Sequence, residues 1–224
     1  MKQMHSKLKS NNQGFTIVEL LIATAVFAIV LLIVTVAVLY VTNTYVKGDV
    51  DAQTQDTTRS VLQTIAQAIQ FNKSSSVSLT SNNGGSGNGY FCIGNNVYVY
   101  QLNKEIGSNT AAGQVPHALL VLGGNNPTCP SGGSLPAKFV GYLHAANGGG
   151  SGNHELLAHD LRLGQLSITQ PISGKPTFKI SLTVGYGNEF AATPIKAYSC
   201  PQESFGGQFC DVSTLTTTVS SRIH

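Results

Sequence analysis

The chain has 224 residues, 42% of them hydrophobic and only 10% charged, against roughly 25% charged in an average soluble domain. So little charge excludes a coiled coil and a charge-driven disordered chain, and four cysteines are too few for a small disulfide scaffold. The net charge of +3 comes from Lys2, Lys7 and Lys9; residues 15–224 carry ten basic and ten acidic side chains, and a neutral chain has no electrostatic footprint for nucleic acid. This length accommodates one domain plus an anchor, or two small domains.

Helix breakers are unevenly placed. All eight prolines lie at 116 or beyond, 22 of the 24 glycines lie at 84 or beyond, and between Gly14 and Gly84 the only glycine is Gly48. That distribution predicts one long N-terminal helix followed by a turn-rich region. Within the helix, Leu20 to Val41 form a run of 22 residues without a charge. At about 1.5 Å per residue this run spans ~33 Å, enough for a bilayer core. Thr24 and Thr35 are its polar side chains apart from Tyr40, and their hydroxyls can bond back to the preceding turn. Lys2, Lys7 and Lys9 precede the run without an acid, while Lys47, Asp49, Asp51 and Asp56 follow it. The positive-inside bias places the N-terminus in the cytoplasm and the rest of the chain outside. A cleaved secretory signal fits poorly, because the run exceeds an h-region of roughly 7–15 residues and no A-x-A-like site closes it.

Glu19 breaks the pattern at the start of this run, within NQGFTIVELLIA. An intramembrane acid is costly and ordinarily has a partner, and no cation lies in the same helix within reach. Gly14-Phe15-Thr16-Ile17-Val18-Glu19 resembles the type IV prepilin cleavage and methylation motif: a short basic leader, a glycine, a phenylalanine, an acid four residues later and a long apolar run. The resemblance covers residues 1–45. It implies that a prepilin peptidase cuts after Gly14 and methylates the new N-terminus at Phe15, leaving a mature chain of 210 residues. It further implies that Glu19 meets the Phe15 amine of a neighbouring subunit, a pairing that sets axial register more than it adds stability. The run contains no proline or glycine, unlike many major pilins, which fits a minor subunit.

Residues 46–71 continue the helix with an amphipathic face, Val61, Leu62, Ile65, Ala68 and Ile69, interleaved with Arg59, Gln63, Thr64, Gln67 and Gln70. Asp49 and Asp51 read as solvated rather than metal-binding, since residues two apart on a helix diverge. The helix is expected to fray near Asn72 to Ser76. Strands are expected at 76–80, 90–93, 96–102, 117–122, 138–144, 161–169, 177–186 and 214–221, from β-branched and aromatic enrichment with partial alternation. Gly/Asn-rich loops at 82–89, 123–127 and 147–153 separate them. The expected fold class is α+β: a long N-terminal helix, transmembrane and then amphipathic, packed on a mostly antiparallel sheet, which resembles the pilin fold. The closing TLTTTVSSRIH resembles the last strand of large W/J-type minor subunits.

Cys92, Cys129, Cys200 and Cys210 all fall on the exported side, where an even number favours two disulfides among three connectivities. The short, turn-rich CPQESFGGQFC favours Cys200 with Cys210, leaving Cys92 with Cys129. Other constellations carry little. In HELLAH, His154 and His159 are five apart, whereas a zinc HExxH helix needs four. GGSGNG at 84–89 lacks the Lys-Ser/Thr of a phosphate loop, and His144, Ser151 and Asp160 have no spacing that marks a triad. No metal or other cofactor is expected, nor a catalytic activity.

The sequence therefore divides into a leader (1–14), a transmembrane or filament-core half-helix (15–45), an amphipathic half-helix (46–71) and a β-rich head (72–224). The resemblance implies a minor type IV pilin held in the inner membrane with its head outside the cytoplasm, then assembled into a filament. Its implied partners are other pilins, the prepilin peptidase, the inner-membrane assembly platform with its ATPase, and membrane lipid before assembly. A type II secretion or competence pseudopilin is the alternative within the family. A signal-anchored extracellular enzyme or binding protein is the alternative outside it.

Overall fold

A computed structural model describes residues 14–79, 87–107, 114–123, 128–130, 135–187, 200 and 210–222. The chain divides into two units, Met1–Thr44 and Tyr45–His224, with a long helix α1 (Ile17–Gln70) whose residues belong to both. In the first unit every described side chain is exposed.

In the second unit the buried stripe of α1 runs Val50, Thr54, Thr58, Val61, Ile65 and Ile69. It starts three turns earlier than hydrophobicity alone places it. Thr54 and Thr58 extend the stripe because their hydroxyls donate to the Val50 and Thr54 carbonyls at 2.8 and 2.6 Å. A threonine bonded to its own helix leaves its methyl free to pack. The helix stops at Gln70; Asn72 Nδ2 then donates to the Ala68 carbonyl at 2.8 Å, and a short 3₁₀ turn (Ser74–Ser76) follows.

Ten strands are described: β1 (Val77–Leu79), β2 (Asn88–Ile93), β3 (Asn96–Gln101), β4 (Glu105–Ile106), β5 (Gln114–Val115), β6 (Leu119–Leu122), β7 (His154–Glu155), β8 (Leu161–Thr169), β9 (Thr177–Tyr186) and β10 (Asp211–Ser220). They form two sheets rather than one, ordered β1-β2-β3-β6-β7 and β10-β9-β8-β4-β5. Every pairing is antiparallel except β4 with β5. The short strands β4, β5 and β7 are too brief to leave a periodic signal.

One expected strand is a helix. Residues 138–144 lie in α2 (Ala137–His144), which opens at Pro136, whose carbonyl accepts from the Phe139 and Val140 amides. FVGYLH alternates well enough for a strand, but Phe139 and Leu143 are also one helical turn apart. Helix wins because that pair covers an apolar surface the sheet would otherwise expose: Tyr90, Cys92, Val97, Val99, Leu120 and Leu122. The opposite faces of the same strands bury Phe91, Ile93, Tyr98, Leu119 and Val121 in the main core with α1, β8 and β9. Strands β2, β3 and β6 are thus covered on both sides and read as near-continuous apolar runs. Phe91 and Tyr98, directly opposite in register, stack with ring centroids 4.6 Å apart. The β2–β3 turn needs Gly94: it sits at φ 60°, and a Cβ there would fall 2.1 Å from Asn72 Oδ1.

Cys92 is bonded to Cys129 and Cys200 to Cys210. Residues 201–209, most of 82–89 and residues 124–127 of the sequence-assigned loops lie outside the described residues, as does 80 at the end of the first expected strand.

Two polar devices sit inside this head. Glu155, on β7, accepts the backbone amides of Ala118 and Leu119 at 2.9 Å and of Leu156 and Leu157 at 3.1 and 3.0 Å. His117 Nδ1 lies 3.5 Å from the same carboxylate. Arg162 on β8 pairs with Glu105 on β4, both buried. Removing the Glu155 carboxylate strands several buried donors, a loss of about 3 kcal/mol. Glu155→Ala is therefore expected to lower the melting temperature of the full chain in detergent by about 10 °C, and Glu155→Gln by about half of that, measured by calorimetry.

Asp211, at the start of β10, has its carboxyl held above its ordinary value of 3.8 by partial burial and then by the facing Asp51 carboxylate. The Val212 amide, the Thr54 hydroxyl and Lys47 oppose this less strongly. A raised acid stabilises the fold while protonated and loses that contribution as pH climbs from 3.8 through its higher folded value. Asp211→Asn is thus expected to melt above wild type at pH 7 and level with it below pH 3.8, read from paired melting curves.

Candidate functional site at the start of the apolar helix

Gly14, Phe15 and Thr16 are non-helical, and the helix begins at Ile17. Phe15 is 86% exposed. A Cβ built on Gly14 would meet nothing within 4 Å. Among the described residues the fold thus makes no steric demand for glycine at 14.

Thr16 caps the helix and Glu19 completes the cap. The Thr16 amide and hydroxyl each donate to Glu19 Oε2 at 2.9 Å, and the Glu19 amide donates back to Thr16 Oγ1 at 3.2 Å. This reciprocal arrangement is a capping box, a threonine followed three residues later by a glutamate. It supplies what the helix interior lacks: partners for an isolated carboxylate, drawn from backbone and hydroxyl rather than from a cation. The carboxylate also sits at the helix N-terminus, where the helix dipole favours negative charge. The signature was present in Thr16-Ile17-Val18-Glu19, and reading Glu19 only for cationic partners passes over it.

Beyond the cap, Leu20 to Thr44 present apolar side chains on every side, all exposed. Thr24, Thr35, Thr42 and Thr44 donate to the Leu21, Leu31, Val38 and Tyr40 carbonyls at 3.0, 2.8, 2.9 and 2.9 Å. Their hydroxyls therefore need no solvent. A helix apolar all round requires lipid or other helices, and this one is long and apolar enough to cross a membrane.

The remaining sequence candidates are dispersed. His154 lies in β7, beside the structural Glu155, and HELLAH is not helical. His159 faces Asp160 at 2.7 Å on the surface. His144 ends α2, Ser151 is exposed in a turn, and Asp51 accepts from Gln55 Nε2 at 2.7 Å. Among the described residues no three histidine, cysteine, aspartate or glutamate side chains gather as metal ligands.

The family model of the prokaryotic N-terminal methylation motif matches residues 9–35. The match supports a protein of the type IV pilin and pseudopilin family. The matched stretch contains the whole of the Gly14–Glu19 site and most of the apolar run. No curated protein and no solved structure matches the chain. The motif implies that this pilin-like precursor is processed by a prepilin peptidase and assembles with other pilins. Its apolar helix, capped by the motif, fits an inner-membrane anchor.

The capping box makes Thr16 a positioning residue for Glu19. One such cap contributes about 1 kcal/mol, so Thr16→Val is expected to quicken amide hydrogen exchange across residues 17–21 of the micelle-embedded chain about fivefold. Thr16→Ser, which keeps the hydroxyl, is expected to exchange at the wild-type rate.

Proposed function

We propose that this chain is a minor type IV pilin, a structural subunit rather than an enzyme, cut after Gly14, methylated at Phe15 and built into a filament at its priming end or tip. The observation that carries this reading is the apolar half-helix left uncovered on all sides and headed by a lone carboxylate. Residues 14–16 are non-helical and exposed, which leaves them accessible to a protease, and a Cβ on Gly14 would meet nothing within 4 Å. Cleavage turns the Phe15 nitrogen into an amine with an ordinary pKa of roughly 7.7–8.0, mostly protonated at neutral pH.

Glu19 then has two stations. In the bilayer it stays on its own Thr16 cap. In a filament it exchanges that cap, or shares it, with the Phe15 amine of a neighbour, the one cation that similar helices bring to the same depth. The head remains outside the cytoplasm. The assembly platform and its ATPase supply the work of extracting the helix from lipid. The uninterrupted apolar run and the large two-sheet head support the minor role. A type II secretion or competence pseudopilin would use the same machinery, and the resemblance of the closing strand to W/J-type subunits suits either system.

Co-expression with a prepilin peptidase is expected to yield a chain that begins at Phe15 and carries one added methyl, read by intact mass; an unprocessed chain beside a competent peptidase refutes the reading. Glu19→Ala is expected to leave insertion and cleavage intact yet lower recovery in sheared filaments at least about tenfold, because a buried amine loses its partner. Glu19→Gln, which keeps the size but not the charge, is expected to fall with it. Equal incorporation of Glu19→Ala removes the register role.

A further inference from the structure

Strand β10 ends its sheet. It pairs with β9 along its whole length, from Asp211 opposite Tyr186 to Ser220 opposite Thr177, and among the described residues no strand pairs with its other side. Natural edge strands are protected by shortness, by lysine or proline, or by a bulge. β10 has neither shortness, lysine, proline nor a bulge, and its one charge, Asp211, lies at its first position. The strand is ten residues long, DVSTLTTTVS, without lysine, proline or glycine, and its register with β9 is unbroken. The neighbouring β8–β9 pair, in contrast, is bulged between Leu163 and Gln165. Thr214, Thr216, Thr218 and Ser220 are exposed, so the strand is not hidden beneath another element.

The second half of α1 runs alongside. Asp51 and Thr54 face Asp211 at one end, and at the other the Arg222 amide donates to the Gln70 carbonyl at 3.1 Å. Between these attachments a groove of about 250 Å³ opens, lined by Gln55 and Arg59 of the helix and by Val212, Ser213, Thr214 and Leu215 of the strand. Arg59 is exposed, and among the described residues no carboxylate forms an ion pair with it. Among the described residues the groove therefore combines a strand edge without a partner strand and one exposed positive charge.

We propose that the β10 edge is a docking site for an extended, carboxylate-bearing peptide segment of a partner protein, which adds a strand beside β10 and places its acid on Arg59. Backbone pairing supplies the affinity, as in other strand additions, and Arg59 selects the segment by charge. The Asp51–Asp211 end, whose acidity Lys47 offsets only in part, disfavours a partner carboxylate there, so the charges on both elements favour one register: acid opposite Arg59, not opposite Asp211. The site belongs to the head alone and serves equally a subunit of a pilus or of a pseudopilus.

The test uses the full chain in detergent micelles and a fluorescein-labelled nine-residue peptide of alternating threonine and valine with one central glutamate. Saturable binding by fluorescence anisotropy is expected. N-methylation of two alternate amides on the pairing edge should weaken it at least about tenfold, since each lost backbone hydrogen bond costs severalfold. Replacing the peptide glutamate by lysine should weaken it about threefold, the scale of one exposed ion pair. Arg59→Glu, an exposed substitution whose folding is checked by circular dichroism, should reverse the preference and favour the lysine peptide. Absence of saturable binding, indifference to N-methylation, or an unchanged charge preference in Arg59→Glu each overturns the proposal. So does self-association of the chain that the peptide fails to compete, which would make a second copy the occupant of the edge.

Discussion

An uncharged helical run that its own chain does not cover has to be covered by something else. Leu20 to Val41 offer apolar surface around the full circumference of α1, and every threonine hydroxyl among them is already spent on a backbone carbonyl. Water is excluded as a stable surrounding by the hydrophobic effect, which leaves lipid or similar helices as the surroundings able to cover the segment. Moving between them costs little in hydrophobic terms, because hydrocarbon tails and leucine side chains are alike. What differs is the fate of the one charge. The capping box at Thr16 and Glu19 holds that carboxylate at the helix mouth with neutral donors, and a neutral cap can be given up or shared when a cation arrives.

The head meets the opposite requirement, since it is built to keep water out of itself. Its first sheet is buried on both faces, by α1 and the second sheet on one side and by α2 on the other. Such a layered arrangement leaves backbone and polar groups far from solvent, and each has to be satisfied internally. Glu155 does this for four amides around the β6–β7 junction. The Arg162–Glu105 pair joins β8 to the short β4. The two disulfides cross-link Cys129 to Cys92 on β2, and Cys200 to Cys210 just before β10, restricting the unfolded chain.

The edge of β10, which no described strand pairs on its outer side, contrasts with this closure. Elsewhere the head spends buried ion pairs, caps and a covering helix on satisfying its interior. Along β10 it leaves a long, regular strand, charged only at Asp211, beside an arginine that no described carboxylate pairs. Edge strands left in that state invite pairing.

Much of this was legible in the residues. The absence of proline and glycine from 15–47 determines an unbroken helix, and the lack of charge from 20 to 41 determines its need for an apolar surrounding. The Gly14–Glu19 motif, the positions of the long strands β8 and β9, and the α+β class are properties of local pattern and spacing, which the sequence carries directly. The tertiary structure decided what depends on neighbours far along the chain. FVGYLH has both a strand-like and a helix-like period, and only the bare face of β2, β3 and β6 resolves it as α2. Thr54 and Thr58 look polar until their hydroxyls are bonded within the helix and the core accepts their methyls. Glu155 reads as part of a failed zinc motif, yet its partners Ala118 and Leu119 lie nearly forty residues away. The split into two sheets, and the open flank of β10, follow from which strands find each other. That is set by burial summed over the whole head, a quantity no local window contains.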